Sequence, residues 1–215
     1  MSRIFVKVCG ITTSEDALVA AESGADAVGF VFYPMSPRRV DAERAAAAAR
    51  CLPPFVSRVG VFVDASRDEI ARTVERVGLD LLQLHGEEPP DALDGLPRRV
   101  LKAVRVGRGF TEEEALRYEG RAAGLVVDTR LVGETVMPGG TGVPFDWSLV
   151  AHLRDKVKFL MLAGGLDPDN VREAIAAVRP HAVDVSSGVE RLPGRKDPAR
   201  VQAFLQAVRA AEEGR

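Results

Sequence analysis

The first apolar run of the chain ends in KVCGIT, residues 7–12, which sets Cys9 two positions after Lys7. Residues two apart in a strand share a face, so ammonium and thiol point the same way. A nearby ammonium favours the thiolate, and a thiolate can act as nucleophile, metal ligand or base. The three histidines are scattered and offer no metal-ligand spacing. Most lone cysteines are small buried hydrophobes; a place at a strand end beside a lysine favours chemistry instead. Asp128 ends a second apolar run, LVVDT. It is either a charge capping the next segment or an acid–base partner that takes or gives a proton opposite Cys9. Asp184, in HAVDVS, is a further inward carboxylate. Two carboxylates in one dry site would raise a pKa and let one serve as an acid.

Other polar residues stand at equivalent places. Arg38 follows Ser-Pro in a loop, where a planar guanidinium suits a two-pronged grip on a carboxylate. Gln83 and His85 alternate and share a face. Gly164-Gly165 and Ser187-Gly188 follow the seventh and eighth apolar runs, and Gly142 lies in the glycine-rich loop after the sixth. Such loops either make tight turns with positive φ or bind phosphate through backbone N–H groups, hydroxyls and a helix N-terminus.

Eight short, β-branched apolar runs carry these residues: 4–8, 27–32, 57–63, 79–84, 99–104, 123–128, 157–162 and 181–186. Their near-continuous apolarity is that of strands buried on both faces. Helix signals separate them. Ser66/Glu69 and Thr111/Glu114 read as capping boxes, and Asp167-Pro168 and Asp197-Pro198 as an N-cap followed by proline. DAERAAAAAR reads as one strong helix, and EEPPDALDG as a single turn. The pattern predicts an α/β chain forming a single-domain (β/α)8 TIM barrel over residues 1–215. An open doubly wound sheet is the alternative, weakened because no G-x-G-x-x-G follows the first strand. In a barrel the strand C-terminal ends form the active face, and that is where the polar residues fall.

Composition excludes several classes. The net charge of −2 with dispersed Lys and Arg argues against a nucleic-acid partner. No apolar run approaches the roughly 18 residues of a membrane helix, so no membrane partner is expected. The N-terminus lacks a signal-peptide pattern, and two cysteines do not make a disulfide framework. The expected setting is the cytoplasm.

An ordered series of motifs then carries a resemblance: KVCGIT, GADAVGFVF, SPRRV, VGVFVD, LQLHGEE, VVDT, GGTG-x-x-FDW, LAGGLDPDNV and VDVSSGVE-x-x-PG-x-KD. Together they resemble the phosphoribosylanthranilate isomerase family of tryptophan biosynthesis over nearly the whole chain. The resemblance implies a cofactor-independent, metal-free Amadori rearrangement of N-(5-phosphoribosyl)anthranilate to 1-(2-carboxyphenylamino)-1-deoxyribulose 5-phosphate. It implies Asp128 as general acid, Cys9 as general base and Arg38 as the grip on the anthranilate carboxylate. Gly142, Gly164, Gly165, Ser187 and Gly188 match the phosphate site, and His85 and Asp184 match pocket positions; Gln83, on the same face as His85, is expected to contact the substrate as well. The expected partner is a small phosphosugar, and the expected assembly a monomer or homodimer. Two positions depart from the pattern: Val143 stands where a lysine is frequent and Arg39 where an aromatic is frequent. The related histidine-pathway isomerase uses an aspartate at the position of Cys9. A non-catalytic sugar-phosphate sensor would need neither Cys9 nor Asp128.

Overall fold

The computed structural model describes residues 3–107, 109–129 and 146–213. Eight parallel strands close into a barrel in chain order. They are β1 (Phe5–Cys9), β2 (Ala27–Val31), β3 (Ser57–Phe62), β4 (Leu81–Leu84), β5 (Arg99–Val106), β6 (Gly124–Thr129), β7 (Leu160–Leu162) and β8 (Ala182–Val185). Each falls on an expected run. The ring closes between β8 and β1, in a register that sets Lys7 beside Asp184.

Among the described residues six α-helices pack outside: α1 (Ser14–Ser23), α2 (Ala42–Arg50), α3 (Arg67–Val77), α4 (Glu112–Leu116), α5 (Val171–Val178) and α6 (Pro198–Glu213). The segment after β4 is a single 3₁₀ turn, Pro90–Leu93, and among the described residues before β7 stand two 3₁₀ segments, Trp147–Leu149 and Ala151–Asp155. Ser66 caps α3 by accepting from the Glu69 N–H at 3.2 Å, whereas Thr111 makes no such bond to α4. Asp197 accepts from the Ala199 and Arg200 N–H groups, and Pro198 opens α6 as expected. Asp167 instead heads a turn. It accepts from Asp169 and Asn170, while the Asn170 side chain binds Gly165 O and the Asp167 N–H. These local bonds compete with helical ones, so α5 begins at Val171 rather than at Pro168.

Alternation along the strands makes two cores. Outward residues such as Val8, Phe30, Leu82, Leu125 and Val183 pack under the helices. Inward residues Leu101, Ala103, Val126, Met161, Ala163 and Ala182 form a smaller inner cluster. The inward side chains nearer the strand ends are polar. Gly29 leaves room for two of them: a Cβ there would stand 2.7 Å from Cys9 Sγ and 3.1 Å from Lys7 Cε. The last unit carries an insertion. After β8, β9 (Glu190–Leu192) and β10 (Arg195–Lys196) form a short antiparallel hairpin outside the barrel sheet.

Candidate active site

One cleft opens at the C-terminal mouth of the barrel, about 670 Å³ counting its open side. Cys9, Arg38, Gln83, His85, Asp128 and Asp184 all line it, as do Gly164, Gly165 and Ser187. Residues drawn from β1, β4, β6, β7 and β8 therefore converge on a space of the size that takes a small organic ligand. Gly142 and Val143 lie outside the described residues.

Lys7 sits at the heart of this arrangement, 1% exposed. Its ammonium donates to Asp184 Oδ2 at 2.8 Å. Burial alone would push the Lys7 ammonium down, but Asp184 and Cys9 more than reverse this and keep it charged. Cys9 is itself buried. Burial pushes its thiol up; Lys7 and Lys196 pull it back, and Asp184 adds to the rise. The ammonium thus acts in the direction the sequence implies, while desolvation outweighs it. The resting group at neutral pH is a thiol, ready to be drawn into the thiolate by further positive charge. Burial also pushes the Asp184 carboxyl up, opposed by Lys7 and reinforced by the like charge of Asp128.

Across the cleft, Asp128 Oδ1 accepts from the Thr129 N–H at 2.7 Å. Its Oδ2 lies 3.1 Å from His85 Nε2, within ion-pair reach though off the line of a hydrogen bond. The Gln83 amide nitrogen meets His85 Nδ1 at 3.1 Å. With Gln83 donating, Nδ1 is the acceptor and the ring proton sits on Nε2, facing Asp128. Gln83, His85 and Asp128 thus stand in a row along this side of the cleft. Gln83 Oε1 and Asp184 Oδ1 are buried with no partner among the described residues. Buried polar atoms are nearly always paired, so these two acceptors are open to a ligand or an ordered water.

The glycine loop after β7 meets the tight-turn reading of its sequence. Gly164 and Gly165 have φ of 84° and 68°, as tight turns require. Gly188 needs no unusual φ but lies against the loop after β7, where a Cβ would stand 2.0 Å from Leu166 O. That close approach joins the two loops, and Ser187 remains on the cleft side of the join. The 3₁₀ turn Ser187–Val189 carries no side-chain cap on its N–H groups.

The sequence reading missed two buried ion pairs, Glu190 with Lys196 on the hairpin after β8 and Glu88 with Lys102 behind β5. A lysine inside an apolar strand, as in RVLKAV, is the signal that could have exposed one pair. Such a charge must find an acid, and Lys102 finds Glu88 at 3.0 Å.

A sequence model described as N-(5'phosphoribosyl)anthranilate (PRA) isomerase matches residues 6–207. The chain belongs to that family. It is an isomerase family of tryptophan biosynthesis built on TIM barrels. The N-(5'-phosphoribosyl)anthranilate isomerase of Pseudomonas putida (strain GB-1) is 54% identical over 212 residues, 98% of this chain and 100% of the relative. The crystal structure of the phosphoribosyl anthranilate isomerase from Thermotoga maritima superposes with a TM-score of 0.88 at 45% identity, covering 96% of this chain and 99% of that one. A further crystal structure of a family member, in complex with reduced 1-(o-carboxyphenylamino)-1-deoxyribulose 5-phosphate, superposes with a TM-score of 0.86. It is 45% identical, and the match covers 96% of this chain and 99% of that one.

Proposed function

We propose that this chain catalyses the Amadori rearrangement of N-(5-phosphoribosyl)anthranilate, with Asp128 as general acid and Cys9 as general base. One observation carries the reading: a thiol, a carboxyl, a guanidinium and a glycine-serine corner all line the same cleft. These are the groups that such a substrate needs at its C2 hydrogen, ring oxygen, carboxylate and phosphate.

Asp128 gives a proton to the furanose ring oxygen. The C1–O bond breaks, and the anilino nitrogen lone pair closes onto C1 to form an iminium. That cation joins Lys7 and Lys196 around Cys9 and draws the buried thiol into its thiolate, the released proton leaving to solvent through the open mouth of the cleft. The thiolate takes the proton from C2. The C2–H electrons form the C1=C2 bond, and the iminium π electrons return to nitrogen. The resulting enolamine tautomerises to a C2 ketone with a C1 methylene. C1 is reduced and C2 oxidised, so the step is an internal redox exchange of the aldose–ketose kind and uses no external oxidant or cofactor. His85 stands where it can restore the Asp128 proton. The phosphate is taken by Gly164, Gly165, Ser187 and Gly188, with Gly142 from the loop after β6. Arg38 takes the anthranilate carboxylate, and Gln83 and Asp184 contact the sugar.

Two free cysteines, Cys9 buried and Cys51 exposed, fit a reducing cytoplasm, and no described helix is long and apolar enough to cross a membrane. The working unit is a monomer or a homodimer, which light scattering at micromolar concentration separates.

Anthranilate fluorescence tests the reaction. The substrate is generated in situ from anthranilate and phosphoribosyl pyrophosphate by a coupling transferase, and loss of its signal is followed with wild type beside Cys9→Ala. Rapid loss with wild type alone is the expected result. No loss with folded wild type would move the assignment to another phosphosugar reaction on the same barrel.

A further inference from the structure

Arg38 reaches the cleft from a loop, yet its guanidinium is not free to swing. Nε donates to Glu190 Oε1 at 2.9 Å and to Oε2 at 3.1 Å, and Nη2 donates to Oε2 at 2.8 Å. Glu190 opens β9 of the hairpin. Its carboxylate also accepts from Lys196 Nζ at 2.9 Å and from the Gly194 N–H at 3.2 Å. The side chains of Arg38, Glu190 and Lys196 are 10%, 4% and 0% exposed.

The hairpin is fastened to the barrel mouth. Thr12 Oγ1 donates to Gly194 O at 2.6 Å, and Lys196 Nζ donates to Ser186 O at 3.2 Å. Ser186 Oγ in turn donates to Cys9 O at 3.1 Å. Burying three charges is costly, and the barrel sheet closes without the hairpin. The arrangement therefore serves something other than topology. Glu190 takes the Nε–Nη2 edge of the guanidinium, and Nη1 keeps no hydrogen-bond partner among the described residues. Lys196 offsets the Glu190 charge, so the cluster as a whole keeps one positive charge beside the cleft.

We propose that Glu190 and Lys196, on the hairpin after β8, are positioning residues that lock Arg38 and thereby set selectivity for an aryl amine bearing a carboxylate. The inference rests on the reading of Arg38 as the carboxylate grip. An arginine fixed before binding loses little rotamer freedom when the substrate arrives. Its free end can then meet the carboxylate at full strength, and a substrate lacking that group gains nothing from it.

The test compares N-(5-phosphoribosyl)anthranilate with N-(5-phosphoribosyl)aniline, which lacks the carboxylate, in wild type, Glu190→Gln and Glu190→Asp. Wild type is expected to prefer the carboxylated substrate in kcat/KM. In the variants that preference falls by about tenfold or more, the size of one lost charge-assisted hydrogen bond, and the loss appears mainly in KM. Glu190→Gln leaves two buried cations facing an amide; if it does not fold, Glu190→Asp keeps the charge, retracts the carboxylate and carries the test. An equal loss on both substrates, or an unchanged preference in a folded variant, overturns the positioning role. A wild type that turns over neither substrate instead removes the reading of the reaction itself.

Discussion

Two buried lysine–carboxylate pairs lie a few strands apart, and they are built to opposite specifications. Behind β5, Lys102 donates to Gly86 O at 2.7 Å, Glu88 Oε2 at 3.0 Å and Ala103 O at 3.0 Å. Glu88 Oε1 accepts from the Asp64 and Gly86 N–H groups at 2.9 and 3.1 Å, and Tyr118 donates to Glu88 O. Every arm of that pair ends on backbone or a neighbouring side chain, and together they pin the loop that follows His85. Inside the barrel, Lys7 meets Asp184 at 2.8 Å, but Asp184 Oδ1 is left open and Cys9 stands alongside. A saturated buried pair holds backbone in place. One left short of partners, and set beside a thiol, is available to a ligand.

Breaking the inner region at the proposed acid and base has the largest expected effect. Cys9→Ala and Asp128→Ala should each lower kcat by about 10²–10⁴-fold, the usual range for a lost general acid or base, with melting curves close to wild type. Near-wild-type turnover in either would remove that residue from the chemistry.

Breaking the outer pair should do the reverse. Lys102→Met strands Glu88 as an unpaired buried charge and should cost about 3–5 kcal/mol of stability. Turnover per folded molecule should change little. Denaturant unfolding beside active-site titration measures both, and an unchanged stability would dissolve the contrast between the two pairs.

The smallest effect is a displacement on the pH axis. A base must lose its proton to work, so with Cys9 as the proposed base kcat/KM should rise with pH through its ionisation. Lys7 pulls that ionisation down more strongly than Asp184 pushes it up. Lys7→Gln should therefore shift the rising limb to more alkaline pH. A limb that stays put, or moves toward acid, would show that Lys7 does not act on Cys9.

The barrel was legible because its strands are covered on both faces, which makes them continuous apolar runs that stand out from amphipathic helices. The inward polar residues were legible for the same reason, since a Cys, Asp or Gln at the end of such a run is conspicuous. The helix start at Asp167 was misjudged because Asn170 offers competing side-chain bonds that a motif does not reveal. The hairpin was missed because strands of three and two residues carry no periodicity. Glu190 and Lys196 were invisible as a pair for Arg38, which lies 152 positions from Glu190. Proximity of that kind is made by the ring and leaves no local trace.

The Lys7–Asp184 contact spans 177 positions and sits on the seam where the eighth strand meets the first. Its two halves are among the first and last strand residues to leave the ribosome. A chain with seven strands assembled has no seam, and its thiol has no ordered ammonium–carboxylate neighbour. If Cys9 is the proposed base, its full electrostatic surroundings assemble only when β8 meets β1, and regain of turnover during refolding should follow that pairing.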